Sequence, residues 1–195
     1  MEHQELIENL KARGFAAQYF ETAEEAKAYL ARSVKNQTVG FGGSITCDEL
    51  GLYDLLSAEN QCFSHWRNGP AARDERVSTY LCSANAVAMS GELVNIDGTG
   101  NRVAATLYGP KRVIFVVGKN KICPDLHAAI DRARNVASPL NAKRLGAKTP
   151  CAEKGDRCYD CKSPGRICKG MVIHMGAMHG ADQNEVLIIG EDLGY

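Results

Sequence analysis

The chain has little that would commit it to a surface or a polymer. Its 23 basic residues balance its 23 acidic ones, so no overall field draws it to nucleic acid or to an anionic membrane. No uninterrupted apolar run reaches transmembrane length, and no charged-then-apolar leader opens the chain. The P-loop lysine and the G-x-G-x-x-G spacing are both missing, so no nucleotide-cofactor motif is visible. Internal repeats, low-complexity tracts and interdomain linkers are absent too. These absences predict a cytosolic protein that acts on something small, folded as a single domain over residues 1–195. A chain of 195 residues can bury a core without covalent staples.

What is present is an alternation of helical and strand-like segments. "ELIENLKARG" puts Leu6, Ile7 and Leu10 on one helical face and ends at Gly14. "FAAQYF" reads as a strand, and Thr22 with Glu25 forms a capping-box pattern ahead of "AEEAKAYLARSV". "TVGFGG" is a short strand, and Thr46 with Glu49 repeats the capping-box pattern before "LGLYDLLS". "QCFSHW" is a candidate strand, and "GPAARDERV" a candidate helix with Pro70 near its first turn. "NAVAMSGELVNID" predicts two strands around Ser90-Gly91. "RVIFVVG" is apolar throughout, as a strand buried on both faces should be. A helix over "PDLHAAIDRARNVAS", another over "NAKRLG", and closing strands "GMVIHMG" and "EVLIIGEDLG" complete the pattern. It predicts an α/β domain with a mainly parallel sheet flanked by helices.

Ligands of such sheets collect beyond the carboxyl ends of the strands, and four segments there carry polar chemistry. In "GFGGSIT", Gly40, Gly42 and Gly43 let backbone N–H groups approach a ligand, and Ser44 and Thr46 add hydroxyls. In "NIDGTGNR", Asp97 can act as a base or hold a substrate hydroxyl, and Arg102 can fork a carboxylate. Thr99, Gly100 and Asn101 supply uncharged partners around them. In "VVGKNKI", Asn120 and either Lys119 or Lys121 can reach an anion from the end of a buried strand. "SANAVAMSGE" contributes Ser83, Asn85 and Glu92. All of this requires two distant glycine-bearing bends to meet over one edge of the sheet.

"VGFGGSIT", "SANAVAMSGELVNIDGTGNRVAATLYGPKRVIFVVGKNKI" and "AIDRARNVASPLNAKRL" resemble the LUD (lactate-utilisation) domain over most of the chain. The resemblance implies the fold shared by glucosamine-6-phosphate deaminase, ribose-5-phosphate isomerase and CoA transferases. Those enzymes carry a "DGAD"-type turn, which is "DGTG" here, so the second acidic residue is missing and their acid/base roles do not carry over. The resemblance also implies involvement in oxidation of lactate to pyruvate, as one component beside iron–sulfur subunits.

Of eight cysteines, Cys47, Cys62, Cys82 and Cys123 are scattered and read as buried thiols in a reducing compartment. Cys151, Cys158, Cys161 and Cys168 form C-x6-C-x2-C-x6-C within a segment at about 150–169. Four thiolates at that spacing suit zinc or an iron–sulfur cluster, and softness does not separate the two. A redox-active Cys158–Cys161 dithiol or plain reduced thiols are the competing readings. His174 and His179 are alternative ligands.

The leading expectation is a site for a small anionic metabolite such as lactate or a related hydroxy acid. The Gly42-Gly43-Ser44 loop and Arg102 would hold the anion, and Asp97 with Asn101 and Lys121 would work on the hydroxyl-bearing carbon. Electrons would pass to the thiolate-held cluster or to an iron–sulfur partner subunit. A sugar-phosphate isomerase or CoA-transferase-like enzyme, with Glu92 as nucleophile and a structural zinc, is the second expectation. A non-catalytic subunit that senses redox state or metal is the third.

Overall fold

The structure, a computed structural model, describes residues 2–68 and 76–195. Six strands form a wholly parallel sheet: β1 (Ala16–Phe20), β2 (Thr38–Phe41), β3 (Gln61–Ser64), β4 (Thr79–Cys82), β7 (Arg112–Gly118) and β10 (Gln183–Ile189). Their order is β1-β10-β7-β4-β2-β3. The inner strands β7 and β10 are apolar at successive positions because both faces are covered. Ile114, Val116, Leu187 and Ile189 point into one core with Ala26 and Leu30 of α2 (Ala23–Ser33) and with Leu52 and Leu56 of α4 (Leu52–Ser57). Val113, Phe115, Val117, Val186 and Ile188 point into the other, with Leu6 and Leu10 of α1 (Glu2–Ala12). Period-two alternation along each strand divides the residues in this way.

A smaller mixed sheet, in the order β8-β5-β6-β9, adds β5 (Ala86–Ala88), β6 (Leu93–Asp97), β8 (Ile122–Cys123) and β9 (Gly170–His174). β5 and β6 form the antiparallel hairpin predicted around Ser90-Gly91, with Gly91 at φ 95°. The two closing strands do not lie together: "GMVIHMG" becomes β9 against β6, whereas "EVLIIG" becomes β10 between β1 and β7 of the large sheet. Ala129 and Ala133 pack on the small sheet beside Ala86, Ala88 and Val94.

Local signals hold in part. Thr22 and Glu25 make the reciprocal capping box of α2. The second capping box does not form. Ser44 is the N-cap of α3 (Ile45–Glu49) and accepts from the Cys47 N–H at 3.2 Å, and Thr46 lies inside that helix. The two helices expected over 124–146 are one rod: α6 (Leu126–Arg132), a π-helical turn (Ala133–Ala137) and α7 (Ser138–Arg144). Pro139 cannot donate, and the Ala133 carbonyl accepts both the Ser138 N–H five residues on and the Ser138 hydroxyl at 2.8 Å, so the helix widens rather than breaks. Two helices have no counterpart in the sequence reading: α5 (Asn101–Leu107) and α8 (Pro150–Lys154). The helix expected over "GPAARDERV" falls on residues 69–75, outside those described.

Candidate functional site

Strand ends bring the motifs together. All strands of the large sheet run the same way, so the segments after β2, β3, β4, β7 and β10 emerge at one edge. There they surround a cavity of about 520 Å³ whose lining includes Ser44, Ser83, Asp97, Arg102, Lys121 and Tyr195. Ser44 from the first glycine-rich bend and Asp97 from the second therefore share a single cavity. Asn85, Thr99 and Asn101 also line it. The remaining wall comes from α7, through Ser138, Asn141 and Arg144, and from the cysteine segment, through Arg166 and Lys169.

The glycines serve close packing around the site. A Cβ on Gly42 would lie 2.5 Å from the Tyr80 hydroxyl and 2.8 Å from Cγ of Arg102. One on Gly43 would lie 2.8 Å from Nε1 of Trp66. Removing both Cβ atoms lets Tyr80, Arg102 and Trp66 close over the loop. Gly100, at φ 91°, is the N-cap of α5, and its N–H binds Asp97 Oδ1 at 2.7 Å.

Arg102 is engaged rather than free. Its Nε donates to Asp97 Oδ2 at 3.0 Å, Nη1 to Asn95 Oδ1 at 2.7 Å and Ser83 O at 3.4 Å, and Nη2 to Ile96 O at 2.7 Å. Both carboxylate oxygens of Asp97 are likewise taken, by Gly100 and Arg102. The pair braces the turn, which places Thr99 and Asn101 at the cavity. Asn101 Nδ2 lies 2.6 Å from Nδ1 of His65, which also lines the cavity.

Lys121 is the opposite case. It is 3% exposed and lines the cavity, yet among the described residues no carboxylate lies within ion-pair distance. Its Nζ donates to Thr46 Oγ1 at 2.7 Å and Ser83 Oγ at 3.0 Å. Burial, and then the nearby Arg132 guanidinium, push its ammonium down to about 8. Among the described residues the lining includes Arg102, Lys121, Arg144, Arg166 and Lys169 beside the carboxylate of Asp97, with Arg102 paired to Asp97 and Arg166 to Asp160. A buried cation is costly to hold unless something pairs it.

A family model for the LUD domain matches residues 3–189. The chain belongs to the LUD-domain family. Among solved structures, this LUD domain is similar to the crystal structure of a DUF162 family protein from Deinococcus radiodurans. The two are 13% identical with a TM-score of 0.56, over 97% of this chain and 96% of that one. The likeness establishes a shared fold. No curated protein matches the chain.

Not every candidate reaches the cavity of the LUD domain. Glu92 lies outside it, in an ion pair with Arg13 and accepting from the Ser90 hydroxyl. Asn120 pins the C-terminal segment, donating to Gly194 O at 3.2 Å and accepting from the Leu193 N–H at 3.1 Å. His65, Trp66, Asn141, Arg144, Arg166 and Lys169 line the cavity without a motif that singled them out. Basic or aromatic residues at the ends of strands and along one face of α7 were the signal available for them.

The four clustered thiols do not converge. Cys151 contacts Thr149 Oγ1, Cys158 accepts from the Asp160 N–H, and Cys168 accepts from Arg166 Nε at 3.2 Å. Among the described residues no three His, Cys, Asp or Glu side chains gather as a metal site requires. The donor chemistry suits zinc or iron, but the arrangement does not fit either. Cys161 is distinct in another way: the Ser163 backbone N–H, its hydroxyl and then Arg166 hold the thiol below its ordinary range. The segment also reaches the site directly. Gly98 packs beneath it, where a Cβ would meet the Ile167 carbonyl at 2.5 Å, and the Lys169 N–H binds Asp97 O at 2.9 Å.

Proposed function

We propose that the cavity binds a small carboxylate, lactate or a related 2-hydroxy acid, and that the protein serves in utilisation of such acids. The observation that carries this reading is Lys121, buried at the cavity floor with hydroxyl partners only. A ligand carboxylate would supply the missing counter-charge, and desolvation would strengthen the pairing. Arg144, Arg166 and Lys169 extend the cationic surface around it, which favours entry of an anion. The apolar part of the acid would rest on Ile45, Ile96 and Leu145. Arg102 and Asp97 keep the turn in shape, so this reading moves the anion-holding role from Arg102 to Lys121. In a hydroxy-acid oxidation the two electrons would pass to an iron–sulfur partner subunit, in keeping with the family's link to lactate utilisation.

Calorimetric titration tests the reading. L-lactate, glycolate and pyruvate are compared with their uncharged analogues lactamide and propane-1,2-diol. Binding of the acids alone, with loss in Lys121→Met, is the expected result. No binding, or equal binding of charged and neutral compounds, overturns it.

A further inference from the structure

Carboxylate binding would use Lys121 only as a charge, and its surroundings are suited to more than that. The Nζ lies between two hydroxyls, Thr46 Oγ1 at 2.7 Å and Ser83 Oγ at 3.0 Å. Thr46 donates its own proton to Leu193 O at 3.3 Å, so toward the amine it can only accept. A neutral amine has two N–H groups and one lone pair. If its two hydrogens stay on Thr46 and Ser83, the lone pair is left for the cavity that Lys121 lines. Ser83 also ties the amine to Arg102, since its carbonyl accepts from Arg102 Nη1 at 3.4 Å. Arg102 directs four of its five N–H groups at protein acceptors, which leaves one on Nη2. Lys121 and Arg102 line one cavity, which matches a ligand whose electrophilic carbon adjoins its carboxylate.

We propose that Lys121 is a nucleophile that captures the carbonyl carbon of an α-oxo acid in this cavity as an imine. The inference rests on the carboxylate-binding reading above and gives the site a second substrate class, the oxidised counterpart of a hydroxy acid. The amine lone pair forms the C–N bond as the carbonyl π pair moves onto oxygen. That oxygen takes two protons, both originally on the amine, and leaves as water, and the nitrogen lone pair closes the C=N bond. No electrons enter or leave the pair of reactants. Protonation of the imine restores the cation next to the ligand carboxylate, so the captured ligand keeps the counter-charge. The lowered proton affinity of Lys121 supplies the neutral amine at mildly alkaline pH, the property that activates lysines of this kind. Ser83, whose hydroxyl accepts from the amine at 3.0 Å and donates to Ala84 O at 3.3 Å, lines the cavity and is placed to pass the proton.

Trapping decides the matter. The full chain is incubated at about pH 8 with pyruvate and sodium cyanoborohydride, whose hydride reduces an iminium to a stable secondary amine, and modified lysines are mapped by mass spectrometry. One carboxyethyl group at Lys121, formed roughly tenfold faster or more than on surface lysines, is expected. No adduct at Lys121, or adducts spread evenly over all lysines, overturns the proposal. Titration of pyruvate without reductant separates the two claims. Binding without trapping removes the imine and leaves the carboxylate site, and absence of both removes both. Lys121→Arg keeps the charge, so it is expected to bind pyruvate and to give no adduct at this position.

Discussion

Replacing Arg102 with methionine separates a bracing arginine from a ligand-holding one. In the structure the Arg102 and Asp97 side chains are 12% and 11% exposed and share a 3.0 Å ion pair. Methionine keeps much of the stem's volume, but Asp97 Oδ2, Asn95 Oδ1, Ile96 O and Ser83 O all lose a donor. Breaking a buried pair from one side costs about 3–5 kcal/mol. In a chain of 195 residues that lowers Tm by roughly 6–20 °C, at about 2–4 °C per kcal/mol. Urea unfolding followed by circular dichroism, with calorimetry for Tm, measures the effect. Asp97→Asn is the milder companion, because an amide oxygen still accepts from the Gly100 N–H. The two changes together should show a coupling of about 1–3 kcal/mol. If Arg102→Met unfolds within about 0.5 kcal/mol of the parent and loses only ligand binding, the bracing role is wrong and Arg102 belongs to the ligand.

Other outcomes follow from the same geometry. Lys121 is held at about 8 in the fold against 10.5 in its absence. The unfolded chain therefore binds the extra proton between those values, so stability should rise with pH across that window and be lost below it. Lys121→Met should abolish that rise and leave the ligand-free protein up to about 3 kcal/mol more stable at pH 7, and an unchanged pH slope in denaturation would refute the assignment. Gly98→Ala, which drives a Cβ against the Ile167 carbonyl, should cost about 1–3 kcal/mol and speed proteolysis within residues 155–169. Cleavage and Tm identical to the parent would show that the segment does not pack there. Timed alkylation with iodoacetamide near pH 7.5 should label Cys161 ahead of Cys47 and Cys82. The first thiol is pulled down by Ser163, whereas burial pushes the others up to about 11 and about 12, so early labelling of Cys82 would contradict the fold.

Much of the fold was legible because its signals are local. The continuous apolar run of β7 and the amphipathic face of α1 state their own burial, and Ser90-Gly91 states its own turn. β4 was not singled out, since "TYLC" is four residues with no flanking turn chemistry. The helix break placed before "NAKRLG" followed the usual meaning of proline, and the π-helical turn with the Ser138 hydroxyl overrides it. The small sheet was missed because pairing β6 with β9 joins residues 93–97 to 170–174, and no periodicity reports a partner. Convergence of the two glycine-bearing bends could be read from strand order and the carboxyl-end rule. The role of Arg102 could not, since an arginine that binds a ligand and one that binds backbone carbonyls look alike in sequence. Thiol spacing likewise describes donors and says nothing of where a loop carries them.

β10 lies between β1 and β7 in the sheet. β1 therefore waits for a strand more than 160 residues later, and until residues 183–189 emerge it has no neighbour in the sheet. At roughly 5–20 residues per second, the core on the α1 face lacks Val186 and Ile188 until β10 arrives. Any nascent chain released before Gln183 carries a split sheet with two open edges, the form that chaperones and proteases recognise. The large sheet is therefore completed only when β10 joins β1 to β7.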